Sequence, residues 1–263
     1  MDLKLEGKKA FISGSTQGIG FAIAQQLLAE KAEVVINGRN EEKTKTAVQK
    51  LQAEFPNAKV SGINADFGKK DEIDALLNKL TNIDILINNV GVFDLKNFED
   101  LTDEDWYKIF EINVMSSIRL SKKLLPKMLE KKTGRIIFIS SESGVNIPGN
   151  MIHYGMTKAA MTAVSNGLSK LTIGTEVTVN TILGGPTYSD GVASAIEQIA
   201  AMQNLEVEQM KSIIVQQTNP HSLLQRFIEP SEIASLVAYL SSPLSLATNG
   251  ASLRADGGVL KTI

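Results

Sequence analysis

Short β-branched runs alternate with longer amphipathic stretches along this chain, and no other feature narrows the fold so far. "KKAFISG" precedes a helical pattern over 18–30, "EVVING" one over 41–55, "KVSGINAD" one over 70–81 and "IDILINNVG" one over 102–131. The alternation continues with "GRIIFISS", a helix over 151–172, "VTVNTILGG", a long segment to 229, a helix over 231–241 and "GASLRADGG". Strands joined through helices run parallel, and a parallel sheet has to be covered on both faces. The pattern therefore predicts an α/β fold with about seven parallel strands in a doubly wound sheet. With 263 residues, 43% of them apolar, and no linker-like tract or internal repeat, the chain reads as one domain over 1–263. One stretch of roughly 40 residues, between Gly185 and Glu229, breaks the alternation and is too long for a bare connection. Ile196, Ile199, Met202, Met210, Ile213 and Ile214 recur there at helical spacing, which predicts a helical lid over about 187–228.

The formal net charge of −2, with both signs scattered, supplies no electrostatic footprint for nucleic acid or an anionic membrane. The expected partners are a small molecule and further copies of the chain. There is no cysteine, so disulfides, thiolate zinc sites and cysteine nucleophiles drop out; with only His153 and His221 as imidazoles, no metal site is assigned. The charged opening "MDLKLEGKKAFISG" reads as neither a signal peptide nor a membrane span, which points to a cytoplasmic protein.

Two constellations carry chemistry. Directly after the first strand, "SGSTQGIG" places Gly14, Gly18 and Gly20 at the start of the first helix in a G-x-x-x-G-x-G spacing. Glycines there let the backbone approach a pyrophosphate, whose charge is favoured by the free N–H groups of a helix N-terminus. Farther on, "HYGMTKAAM" sets Tyr154 and Lys158 four residues apart, hence on one helix face. A free phenol has a pKa of about 10, too high for base work at neutral pH, and an ammonium within about 4–6 Å lowers it. Tyr154 is thus read as proton donor and acceptor, with Lys158 tuning it.

These motifs, in this order, together with "NNVG" after the fourth strand and the terminal "DGG", resemble the short-chain dehydrogenase/reductase family over essentially the whole chain. The resemblance implies a Rossmann-type sheet and a nicotinamide dinucleotide. It implies that Gly14, Thr16, Gln17, Gly18, Ile19 and Gly20 hold the pyrophosphate and adjacent ribose. It likewise implies that Asp66 and the Phe67 backbone meet the adenine, and that Asn89, Val90 and Gly91 line the ribose. Ser13 and Val90 stand where the family usually has Thr and Ala. The family's catalytic serine opens a Ser-x-x-Gly segment about a dozen residues before the tyrosine, which selects Ser141, with Ser143 as the alternative. Ser140 and Ser141 face opposite ways on a strand, so Ser140 is left a structural part. By the same resemblance Asn113, an amide in an otherwise apolar helix face, bends its helix and holds a water that links Lys158 to solvent; Lys158 also meets the nicotinamide ribose.

Gly185 and Thr187 match the segment beside the nicotinamide, with Ser189 as a further contact, but Gly184 replaces a proline, which predicts a looser loop. At the end of the second strand Gly38 stands where NAD-specific sites carry an acid, and Arg39 follows, which favours NADP(H) over NAD(H). The expected function is an NADP(H)-dependent oxidoreductase interconverting a carbonyl and a hydroxyl. The alternative is an inactive NADP-binding sensor or scaffold, which has no need of a phenol beside an amine; a sugar-nucleotide epimerase or dehydratase needs a larger C-terminal substrate region. Val145, Ile147, Met151 and His153 are expected to line the substrate pocket with the lid, favouring an uncharged, moderately apolar substrate. Trp106, Ile109, Leu120, Leu124 and Met128 on one helix, with Ala159, Ala160, Ala163 and Leu168 on the other, exceed one sheet-facing stripe. They are expected to form a two-fold interface of a homotetramer, with the final strand and the tail from Asp256 to Ile263 making a second contact.

Overall fold

The computed structural model describes residues 2–261. The strands β1 (Lys9–Ile12), β2 (Glu33–Gly38), β3 (Val60–Asn64), β4 (Ile85–Asn88), β5 (Thr133–Ser141), β6 (Glu176–Gly184) and β7 (Ser252–Ala255) form one sheet in the order β3-β2-β1-β4-β5-β6-β7. Each neighbouring pair is parallel. Between them run α1 (Gly18–Ala29), α2 (Glu41–Glu54), α3 (Lys70–Lys79), α4 (Asp103–Phe110), α5 (Ser116–Lys131), α6 (Ile152–Ser169), α7 (Asp190–Met202), α8 (Val207–Thr218) and α9 (Pro230–Ser241).

The central strands are apolar in both phases of their two-residue period. Ala10, Ile12, Val34, Ile36, Ile85, Ile87, Ile137 and Ile139 enter one core, beneath α1, α2 and α9. Phe11, Val35, Leu86, Ile136 and Phe138 enter the other, beneath α3, α5 and α6. A sheet so patterned is stable only when covered on both sides, and here it is. From β1 the chain winds one way to β2 and β3, then returns to lay β4 on the other side, so a crevice opens above the strand ends between β1 and β4.

Three expectations are corrected. The single helix expected over 102–131 is α4 and α5 separated by a π-helical turn, Glu111–Met115. Ile109, Leu120, Leu124 and Met128 are buried within this chain, the last three in the second core, so they provide no surplus apolar face. Gly184 is no loose hinge: it pairs with Ser141 on one side and Ala255 on the other, so the ladder restrains it where a proline ring would have done.

The expected helical excursion is present as α7 and α8, built around its own small cluster of Ile196, Ala200, Met210, Val215 and Phe227. A parallel bridge between Thr187 and Ile228 ties its two ends together. After β7, Asp256 accepts hydrogen bonds from Gly258 N and Leu260 N, folding the tail back on itself; Thr262 and Ile263 lie outside the described residues. Among the described residues no helix is long and apolar enough to cross a membrane.

Candidate active site

The phosphate end is built from the backbone outward. Gly14 and Gly18 hold φ of +61° and +60°, where a side chain is strained. At Gly20 a Cβ would stand 2.5 Å from Gly14 O and 2.6 Å from Asn89 Nδ2, so the helix can enter only with a glycine there. The loop is fixed by Asn37, whose Oδ1 accepts from Gly14 N (3.1 Å) while Ser15 N donates to its carbonyl (2.8 Å). Asn89 Nδ2 donates to Ser13 O (3.0 Å) and Gly14 O (2.7 Å), and Ser13 Oγ accepts from the N–H groups of Asn89 and Val90. Asn37, buried inside β2, was not singled out from the sequence, although a lone amide in "EVVING" is the signal that marks it.

Helix α1 has no side-chain N-cap. Its first N–H, on Gly18, instead donates to Asp190 Oδ2 at 2.5 Å, from the first residue of α7. An uncapped helix N-terminus that already draws a carboxylate suits a phosphate. The residues present thus fit the pyrophosphate of a dinucleotide.

At the chemical end, α6 packs along β5 and brings Tyr154 and Lys158 up to Ser141. Lys158, buried, donates from Nζ to Ile139 O at 3.0 Å, and the same Nζ lies 5.6 Å from the centroid of the Tyr154 ring. Burial pushes the Lys158 amine down to about 8, opposed by the negative charge of Glu142. Burial pushes the Tyr154 phenol up to about 12; the Ser141 hydroxyl works against this and Glu142 adds to it. In the protein alone, desolvation of the phenolate sets the direction of this shift, and the lowering expected from Lys158 does not figure among its causes.

Ser141 Oγ donates to Glu142 Oε2 and accepts from Ser143 N (3.1 Å); Ser143 Oγ donates to Glu142 Oε1 (3.1 Å). Ser140 Oγ donates to Lys158 O (2.8 Å). Asn113 lies in the π turn, exchanging both bonds with the Val92 backbone (2.8 and 2.9 Å) and donating to Thr157 Oγ1 (3.0 Å). Partners from two other segments satisfy its amide, and the extra residue of the turn sits where they meet. His153 is buried edge-on to Trp106, ring centroids 6.1 Å apart, and does not line the cleft.

One cleft of about 370 Å³ gathers Gly14, Gln17, Gly18, Ile19, Gly20, Asn89, Val90, Gly91, Ser141, Tyr154, Lys158, Gly185 and Thr187. Thr16, Gly38, Arg39, Asp66, Phe67 and Asn113 stand outside its lining. Thr16 and Gln17 face an adjoining cavity with Lys43 and Lys50, and Asp190 borders both spaces. Asp66 Oδ1 accepts from Gly68 N, and its own N–H is held by Glu72. Gly185 needs to be small, because a Cβ there would stand 2.7 Å from the Asp256 backbone.

The profile of the short chain dehydrogenase family matches residues 8–200. The chain belongs to that family. It is 41% identical, over the full length of both chains, to the uncharacterized oxidoreductase YvaG of Bacillus subtilis (strain 168). It is 30% identical to D-beta-hydroxybutyrate dehydrogenase of Cupriavidus necator, covering 97% of this chain and 98% of that one. Among solved structures, L-sorbose reductase from Gluconobacter frateurii, complexed with NADPH and L-sorbose, superimposes with a TM-score of 0.93 at 28% identity over the whole of both chains. The protein is accordingly a nicotinamide-dependent dehydrogenase/reductase acting on CH–OH groups.

Proposed function

We propose that the protein reduces a carbonyl, and in reverse oxidises a hydroxyl, on a small molecule with NADP(H), using Tyr154 as general acid and base. The observation that carries this reading is the convergence of Ser141, Tyr154 and Lys158 on a cleft whose other side is the phosphate-accepting loop. When bound, the cofactor supplies or takes up the hydride at nicotinamide C4. Tyr154 gives its proton to the substrate oxygen during reduction and takes it back during oxidation. Ser141 positions that oxygen, and Lys158 replenishes the phenol's proton through a water held at the Asn113 turn. With its phenol held at about 12, Tyr154 stays protonated at neutral pH and is set as an acid. Service as a base requires the positive charge of an oxidised nicotinamide beside it. The 187–228 excursion closes over the substrate.

Preference for NADP(H) is supported by three observations. Arg39 is exposed and makes no hydrogen bond or ion pair among the described residues. A Cβ at Gly38 would overlap Thr16, so an acid there requires Thr16 to move. Lys43, across the cavity from Thr16, offers the second cation that Gln17 lacks. For assembly, exposed Tyr107 and Phe110 on α4 take the place of the buried residues first expected at the interface of a homotetramer, beside the exposed Ala163 of α6, which keeps its expected part. Light scattering reads that state directly, and a single-chain mass at micromolar concentration removes it.

Tyr154→Phe is expected to lower kcat by about 10²–10⁴-fold while leaving the Kd for NADPH nearly unchanged. Substantial residual turnover overturns the assignment. Arg39→Leu should cut kcat/KM with NADPH by about tenfold or more and spare NADH, as expected from losing a charge-assisted bond of roughly 1.5–3 kcal/mol; an unchanged ratio removes Arg39 from the phosphate site.

A further inference from the structure

Among the described residues Glu142 is the one carboxylate whose charge reaches both Tyr154 and Lys158, and its two oxygens take the hydroxyl protons of Ser141 and Ser143. Each serine hydroxyl has a single proton to donate. In the observed arrangement Ser141 spends that proton on Glu142 and accepts from Ser143 N, so nothing is left for a substrate carbonyl oxygen. A simple ketone meets Tyr154 alone as donor. A ketone with a hydroxyl on the adjoining carbon brings its own donor: that hydroxyl takes the place of Ser141 on Glu142, and the Ser141 proton turns to the reacting oxygen. The exchange keeps the number of hydrogen bonds on Glu142 constant and adds one to the oxygen on which charge develops. An anionic group in the same position meets a carboxylate and is repelled.

Resting on the oxidoreductase reading above, we propose that Glu142 is a specificity-determining residue that selects hydroxylated carbonyl substrates, α-hydroxy ketones and the corresponding vicinal diols, and rejects anionic ones such as 2-oxo acids. This departs from the moderately apolar substrate suggested by Val145, Ile147 and Met151. Val145 and Ile147 are exposed, whereas Ser141, whose hydroxyl Glu142 holds, lines the cleft with Tyr154. A site that hydrogen-bonds a substrate hydroxyl rejects the analogue lacking it far more strongly than an apolar pocket rejects a missing methylene.

The test compares 1-hydroxy-2-butanone, 2-butanone and 2-oxobutyrate at the NADPH absorbance with the wild-type enzyme, Glu142→Gln and Glu142→Leu. NADPH binding and the melting temperature of each variant serve as checks on folding. The wild-type enzyme is expected to favour the hydroxy ketone over 2-butanone by about tenfold or more in kcat/KM, with the oxo acid lowest. Glu142→Leu should erase the preference for the hydroxyl, and Glu142→Gln, which keeps an acceptor but loses the charge, should mainly raise the rate on 2-oxobutyrate. Equal wild-type rates on the two ketones, or a preference that survives in Glu142→Leu, overturns the assignment of Glu142 and leaves the oxidoreductase reading standing. No turnover of any carbonyl or diol by an enzyme that binds NADPH removes both.

Discussion

At the phosphate end of the cleft the loop is held by neutral partners, with the amides of Asn37 and Asn89 and the hydroxyls of Ser13 and Ser15 bonded to backbone groups. At the chemical end the bonds run among ionisable groups, with Glu142 on two serines and a buried Lys158 beside a half-buried phenol. The first end is shaped by sterics: glycines with positive φ, and a Gly20 with no room for a methyl group. The second stores electrostatic cost, since burial works against the charged amine and against a phenolate. Substitutions at the two ends should therefore differ in kind, one set insensitive to pH and the other governed by it.

The largest contrast is expected from Lys158→Met. Its folded-state pKa of about 8 lies below the ordinary 10.5, so the unfolded chain holds the proton more tightly. The penalty on folding is fully present below about pH 8 and disappears as pH rises through 10.5. Removing the amine should stabilise the cofactor-free protein by about 3 kcal/mol at pH 7, while abolishing turnover. Urea unfolding of both proteins between pH 7 and 10.5 reads this as two converging curves; parallel curves mean that the amine carries no such penalty.

Gly20→Ala probes the other end. The added methyl has to push Gly14 O or the Asn89 amide, which should cost about 1–3 kcal/mol at every pH and weaken NADPH binding. Wild-type melting and affinity in this variant would show that the loop yields freely. The smallest effect is expected where the two designs meet, at Asp190, whose carboxylate occupies the Gly18 N–H that a phosphate needs. Asp190→Asn should tighten NADPH binding severalfold, the scale of about 0.3–1 kcal/mol for a charge at a helix terminus. Fluorescence titration checks it, and weaker binding would make Asp190 a clasp over the cofactor rather than its competitor.

Much of the fold was legible because it depends on local periodicity. "EVVING" is β2 residue for residue, the helix read over 41–55 is α2 at Glu41–Glu54, and the excursion read over 187–228 is closed by the Thr187–Ile228 bridge. The 102–131 region was misread where periodicity fails: a π turn adds a residue, shifts the phase of the apolar stripe and turns Leu120, Leu124 and Met128 toward the chain's own sheet. Asn113, an amide in an apolar face, marks the bend in the sequence, but the form of the turn depends on its partners Val92 and Thr157, distant in sequence.

The sequence by itself determined the order of strands and helices, the glycine-opened phosphate loop and the pairing of Tyr154 with Lys158 on one helix face. Each of these depends on spacing or on the absence of a side chain, and neighbouring residues settle both. Only the tertiary structure decided which way burial shifts that pair, the hold of Glu142 on Ser141 and the reach of Asp190 across to Gly18, 172 positions away. Burial and Coulomb interaction depend on which groups share a space, and in this fold those groups come from the end of β5, from α6 and from the start of α7.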